Sequence, residues 1–246
     1  MSALAAMSLS QTAIAAVDDE NVDNAVGTTI SGVTYGVKLD AGGPYTIDNA
    51  GEISAAQEEL STLAFGIYVL SPVTVTSINN TSTGVIKGNM TTANNAYGII
   101  VGRGSIGTLI NAGLISGSVG ADYNIGVGIS LFSSSSINTL INSGTITASV
   151  GNDYAYGIIV NSTSSVGTIT NSGTITVSAV ESNAYGIFVN TTSSVGTITN
   201  SGTITASAGV DTANGILVSN MATVGTITNS GTITASVGND DAYGIH

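Results

Sequence analysis

Three patterns in the chain carry residue types that chemistry requires. The segment Gly102-Arg103-Gly104-Ser105-Ile106-Gly107 has the glycine spacing of a dinucleotide-binding turn, follows a predicted strand, and is trailed by Asp122 about 20 residues on. Such a turn works only when a helix follows it, because the helix N-terminus receives the pyrophosphate. Here Thr108-Leu109-Ile110-Asn111 comes next and falls on a strand of the internal repeat described below. Asp122, Asp153, Glu181, Asp211 and Asp240 recur about once per repeat, in its variable loop. Glycoside hydrolysis would need a pair of acids inserted out of period; a periodic row is expected of a solvated edge. Stacked carboxylates could hold Ca²⁺, a hard cation that prefers oxygen, but the glycine-aspartate nonapeptide of calcium β-rolls is missing. The sole histidine is His246 and there is no cysteine, so the chain carries neither a Ser-His-Asp arrangement nor a thiolate nucleophile or metal site. No catalytic, cofactor-binding or metal-ligating residue is assigned, and the chain is read as no enzyme.

The elements that would position any site follow from composition. Charged residues make up 7% of the chain, against about 25% in ordinary domains. Apolar residues make up 42% and are mostly Ile, Val, Leu and Ala, with abundant Thr and no Trp. Disorder requires low hydrophobicity with high charge, and β-branched residues suit a pleated surface, so the chain is expected to be ordered and all-β. The only basic residues are Lys38, Lys87 and Arg103, against 15 acids. Phosphate neutralisation is impossible over most of the length, which argues against nucleic-acid partners.

The organisation is a repeat. VGTITNSGTIT occurs at Val166–Thr176, Val195–Thr205 and Val224–Thr234. The glycine closing the Asn-Ser-Gly or Asn-Ala-Gly motif, or the longer variant Asn80-Thr81-Ser82-Thr83-Gly84, falls at Gly51, Gly84, Gly113, Gly144, Gly173, Gly202 and Gly231, with a settled step of 29 residues. A second marker, the glycine of AYGI and its variants, falls at Gly36, Gly66, Gly98, Gly128, Gly157, Gly186, Gly215 and Gly244. Within one repeat the expected strands are Val166 to Thr170, Thr174 to Ser178 and Tyr185 to Val189, with a bend at Asn171-Ser172-Gly173 read as needing positive φ. Three short strands cannot bury a face alone, but stacked copies can. The fold expected is a right-handed parallel β-helix of three strands per coil and about eight coils, a rod of roughly 40 Å at ~4.8 Å per coil.

Positions that stay aliphatic should point inward: Ile158, Val160, Val166, Ile169 and Ile175, matched by Ile187, Val189, Val195, Ile198 and Ile204. Asn111, Asn142, Asn171, Asn200 and Asn229 should stack as an amide ladder. Between two inward positions lies an outward column of Tyr68, Ile100, Ser130, Ile159, Phe188 and Leu217. It reads equally as an exposed contact stripe and as a surface covered by the neighbouring variable loop.

The NSGTI and AYGI motifs repeated every 29 residues resemble the passenger domains of autotransporters and related haemagglutinin-like bacterial surface adhesins, over roughly Asp23 to His246. The resemblance implies export, display at the bacterial surface or release outside the cell, and a C-terminal outer-membrane β-barrel, whose alternating strands are not found in these residues. Leu4 to Leu9 followed by Ala13-Ile14-Ala15-Ala16 fits the end of a secretory signal. Residues 1–16 are accordingly read as a signal-peptide remnant and 17–246 as the repeat domain. The expected function is a structural or adhesive surface rod meeting host or bacterial surface ligands or further copies of itself. The alternatives are a fragment of a β-helical carbohydrate-active enzyme and an inert spacer carrying another effector domain.

Overall fold

The structure, a computed structural model, describes residues 11–12, 21–32, 34–56, 63–91, 94–120 and 124–246. Of the proposed signal remnant only Gln11 and Thr12 are described, as a short strand parallel to Ile30–Ser31; the rest of that segment, and Asp122, lie outside the described residues.

Every described strand belongs to one of three parallel sheets. The coil around residue 170 shows the plan: Ser165–Asn171 on the first face, Thr174–Ala179 on the second and Ala184–Val189 on the third. The first and third sheets have eight strands and the second has nine, and in each sheet neighbouring strands come from successive coils. The chain is therefore a three-sided β-helix with eight rungs on two of its faces. Register repeats the sequence: Val166 lies on Val195, Ile169 on Ile198 and Ile175 on Ile204. Equivalent positions stack because the period equals one coil, so each inward side chain meets the same or a similar apolar residue above and below.

All ten inward positions read from the repeat are at most 2% exposed, each contributing about 1.5–3 kcal/mol by burial. Further inward columns are built from small residues, including Ala148, Val177 and Ala206 in one register column and Ala155, Ala184 and Ala213 in another. They line the corner where the second and third faces converge. At Gly117, which aligns with Ala148, an added Cβ would stand 2.0 Å from the Val127 carbonyl oxygen.

The amide ladder extends further than the five asparagines expected. Asn24, Asn49, Asn80, Asn111, Asn142, Asn171, Asn200 and Asn229 form one column in which each Nδ2 donates to the next Oδ1 at 2.7 to 2.8 Å. Each Nδ2 also reaches a carbonyl of the following coil, as Asn171 does to Thr203 O at 3.3 Å. A buried amide needs such partners, since an unmade bond costs its full desolvation.

The bend after this ladder differs from the expected one. Neither Asn171 nor Gly173 has positive φ. Glycine is required there by close approach, because a Cβ on Gly173 would lie 2.1 Å from Gly144 O. Positive φ occurs instead at the corner between the third and first faces, in the pairs Ser133-Ser134, Ser162-Thr163, Thr191-Thr192 and Asn220-Met221. Two successive left-handed residues make a type I′ turn, closed by Ser164 N–H to Asn161 O at 3.3 Å. Hydrogen bonds between coils, such as Thr163 N–H to Thr191 O at 3.1 Å, hold residues other than glycine in this costly region.

Candidate functional site: a broken aromatic stack on the third face

The third face carries its chemistry on the outside. In the strand Ala155–Val160, Ala155, Ile158 and Val160 join the core, whereas Tyr156 belongs to a separate apolar cluster with Ile159 packed against it. Strict alternation would not leave Tyr156 and Ile159, three residues apart, on the same side. The irregularity sits at Gly157, which the ladder skips as Tyr156 pairs with Tyr185 and Ile158 with Ile187. A Cβ on Gly157 would stand 2.5 Å from both Gly186 O and Ile175 Cγ2. The recurring AYGI glycine thus permits the step that brings two outward columns side by side.

The first column runs Tyr35, Phe65, Tyr97, Val127, Tyr156, Tyr185, Asn214 and Tyr243. The second is the outward column named from sequence, preceded by Lys38, and it includes Tyr68, Ser130 and Phe188. Rings in successive coils stack nearly parallel: Tyr35 on Phe65 at 5.2 Å, Phe65 on Tyr97 at 5.3 Å, and Tyr156 on Tyr185 at 5.2 Å. Rings also pack between columns, Phe65 with Tyr68 at 4.7 Å and Tyr185 with Phe188 at 5.0 Å. Each such pair adds about 0.5–1.5 kcal/mol beyond its burial. The outward stripe is therefore partly covered by its neighbouring column: Ile100, Ser130 and Phe188 are each less than 10% exposed, while Tyr68, Ile159 and Leu217 are half-buried.

The first column loses its ring at Val127 and again at Asn214; beside Val127 the second column carries Ser130 between Ile100 and Ile159. Over the break at Val127 lies a groove of about 450 Å³, with Phe65, Tyr68 and Tyr97 on one side, Tyr156 and Ile159 on the other, and Phe132, Asn95 and Asn161 at its edge. Asn95 braces one wall, its Oδ1 accepting the Ile125 N–H at 2.9 Å and its Nδ2 lying 3.4 Å from the Tyr97 hydroxyl. Asn161 Oδ1 accepts the Ser162 N–H at 2.8 Å. Ser130 is 7% exposed and has no hydrogen-bond partner among the described residues. Burial raises the phenol pKa of Tyr68, Tyr97 and Tyr156, so the groove bears no formal charge near neutral pH.

The remaining candidate residues lie elsewhere. The GxGxxG segment is the end of strand Asn95–Gly102, a turn at Arg103 with φ of 60°, and the start of strand Ser105–Asn111. No helix follows, as the repeat register required. The loop acids Asp153, Glu181, Asp211 and Asp240 stay at the surface, and no three acids or histidines among the described residues gather closely enough to hold a metal ion. His246 packs on Tyr243 at 4.3 Å between ring centroids. A second groove, about 710 Å³, runs over Ser105, Ser136, Ser165, Ser194 and the glycines of the first face, and offers hydroxyls, backbone and the Asn138 amide. What the motifs concealed was the tyrosine of AYGI and its absence in two coils: the signal was the aromatic residue before each marker glycine, which gives way to Val127 and later to Asn214.

Compared with known proteins, the chain matches no family model, and no curated protein or solved structure matches it significantly.

Proposed function

We propose that this chain is a non-enzymatic adhesive rod of a bacterial surface protein of autotransporter type, acting at the outer membrane or outside the cell. Its contacts are with host or bacterial surface ligands or with further copies of itself. The observation that carries this reading is the β-solenoid itself. Each coil pairs only with the coils before and after it, and an unbroken core and amide ladder tie them into a rod. Such stacks gain length by adding units without disturbing those already present, which suits a molecule that holds a contact surface away from a cell. The aromatic face supplies a surface feature for recognition.

The test is display of the whole chain on a bacterial surface, scored for attachment to host cells and for cell-to-cell aggregation, alongside a version lacking the coil of residues 166–194. The shortened chain is expected to fold, because its cut ends restore the same register, and to retain adhesion. Failure of the full chain to promote attachment or aggregation would overturn the proposal; global unfolding of the shortened chain would overturn the modular rod on which it rests.

A further inference from the structure

We propose that the break in the aromatic stack is a binding site for a neutral sugar ring at the end of a glycan chain. The inference rests on the adhesive reading above and names its ligand class.

The break removes a ring from the first column. On either side of it rings are spaced one per coil at just over 5 Å and nearly parallel. Val127 in place of a ring, with Ser130 beside it, leaves a groove floored by Val127 and Ile125 where a chair-shaped ring could lie, with Tyr97 and Tyr156 on opposite sides. The groove's 450 Å³ is at the small end of the ~300–1,000 Å³ range of ligand clefts, which fits a glycan terminus better than a long polymer segment.

Polar chemistry then selects among ring-shaped ligands. The Ser130 hydroxyl lines the groove, keeps access to it and makes no hydrogen bond within the described residues. A ligand hydroxyl would meet it both as donor and as acceptor. Asn161 commits its Oδ1 to Ser162 and keeps its amide hydrogens for an acceptor at the groove edge. Apolar aromatic walls meet the C–H face of a pyranose, and the serine and amide meet its hydroxyls. No carboxylate lines the groove to favour an organic cation. Its phenols stay protonated, so a neutral partner loses least on entry.

The test uses the full chain and a panel of neutral monosaccharides and disaccharides, a sialylated disaccharide and choline, read by saturation-transfer NMR and titration calorimetry. Saturable binding of at least one neutral sugar is expected. Ser130→Phe places a ring where Phe188 stands two coils on in the same column, so it should fold, fill the groove and weaken binding at least tenfold. Asn161→Ala should weaken it about fivefold, the equivalent of one hydrogen bond. Circular dichroism of both variants verifies folding. If Ser130→Phe does not fold, Ser130→Val is the substitute: it removes the hydroxyl at similar size and should weaken binding about fivefold. No neutral sugar binding, binding untouched by the folded variants, binding of choline alone, or binding of the sialylated probe alone with dependence on Arg103 would each overturn the inference. Adhesion that persists in a chain with no sugar binding would sink this site and leave the adhesive rod standing; absence of adhesion by the unaltered chain would sink the rod.

Discussion

Asn171→Ala is the sharpest test of what holds the coils in register. Asn171 is fully buried; its Oδ1 accepts from Asn142 at 2.7 Å and its Nδ2 donates to Asn200 at 2.7 Å. Alanine removes both bonds, at about 1 kcal/mol each. The two stumps are not equivalent. Asn142 Nδ2 keeps the Thr174 carbonyl at 3.2 Å, whereas Asn200 Oδ1, in a residue that is also fully buried, loses its donor. An orphaned buried acceptor adds roughly 1–2 kcal/mol, so the expected loss is about 3–4 kcal/mol. Asn229 provides the internal comparison. It is an exposed member of the ladder and accepts a single bond from Asn200 at 2.7 Å, so Asn229→Ala should cost about 1 kcal/mol or less. Because a solenoid can open regionally, urea unfolding by circular dichroism should be paired with amide exchange at Ser172 and Gly173, whose N–H groups bond Asn142 O at 2.8 and 3.0 Å. Equal losses in the two variants, or a loss below about 1 kcal/mol for Asn171→Ala, would refute the claim that the buried amides carry the register.

Two further outcomes follow from close packing and from burial. Gly173→Ala forces a Cβ to within 2.1 Å of a neighbouring backbone oxygen, while at Gly120 the nearest atom would be 3.8 Å away; the first substitution is expected to cost several kcal/mol, as large backbone clashes do, and the second almost nothing, measured by comparing thermal midpoints. Burial raises the pKa of Tyr97, Tyr156 and Tyr185 above the usual phenol value of about 10. Since the unfolded phenols ionise first, the stability they confer is complete below about pH 10 and is lost as pH rises through the folded values. Titration followed by phenolate absorbance and circular dichroism should show ionisation coupled to unfolding, and free ionisation of all tyrosines in an intact fold would contradict the stacked arrangement.

Much of the architecture was legible because the repeat makes one local reading hold many times. Val166, Ile169 and Ile175 could be placed inside the rod from their recurrence alone, and the strand limits fell within one residue of the observed Ser165–Asn171, Thr174–Ala179 and Ala184–Val189. The small inward residues were harder to read. Val177 alternates with Ala148 and Ala206 and aligns through them with Gly117, a column that varies because its size is limited by the passing backbone of another face. The Asn-Ser-Gly bend was placed correctly and explained wrongly: local preference suggested positive φ, but the constraint on Gly173 comes from a carbonyl 29 residues away.

The amino-acid sequence by itself determined the period, the all-β character, the inward aliphatic ladders and the absence of histidine, cysteine and basic chemistry along most of the rod, since these depend on residue type and spacing. Only the tertiary structure decided that Tyr156 and Ile159 share one side of a strand. It also showed that the outward column shelters against a second aromatic column, and that Ser130 lies at the bottom of the resulting groove. These facts depend on a strand irregularity at Gly157 and on distances between successive coils, which are set by packing between residues far apart in the chain.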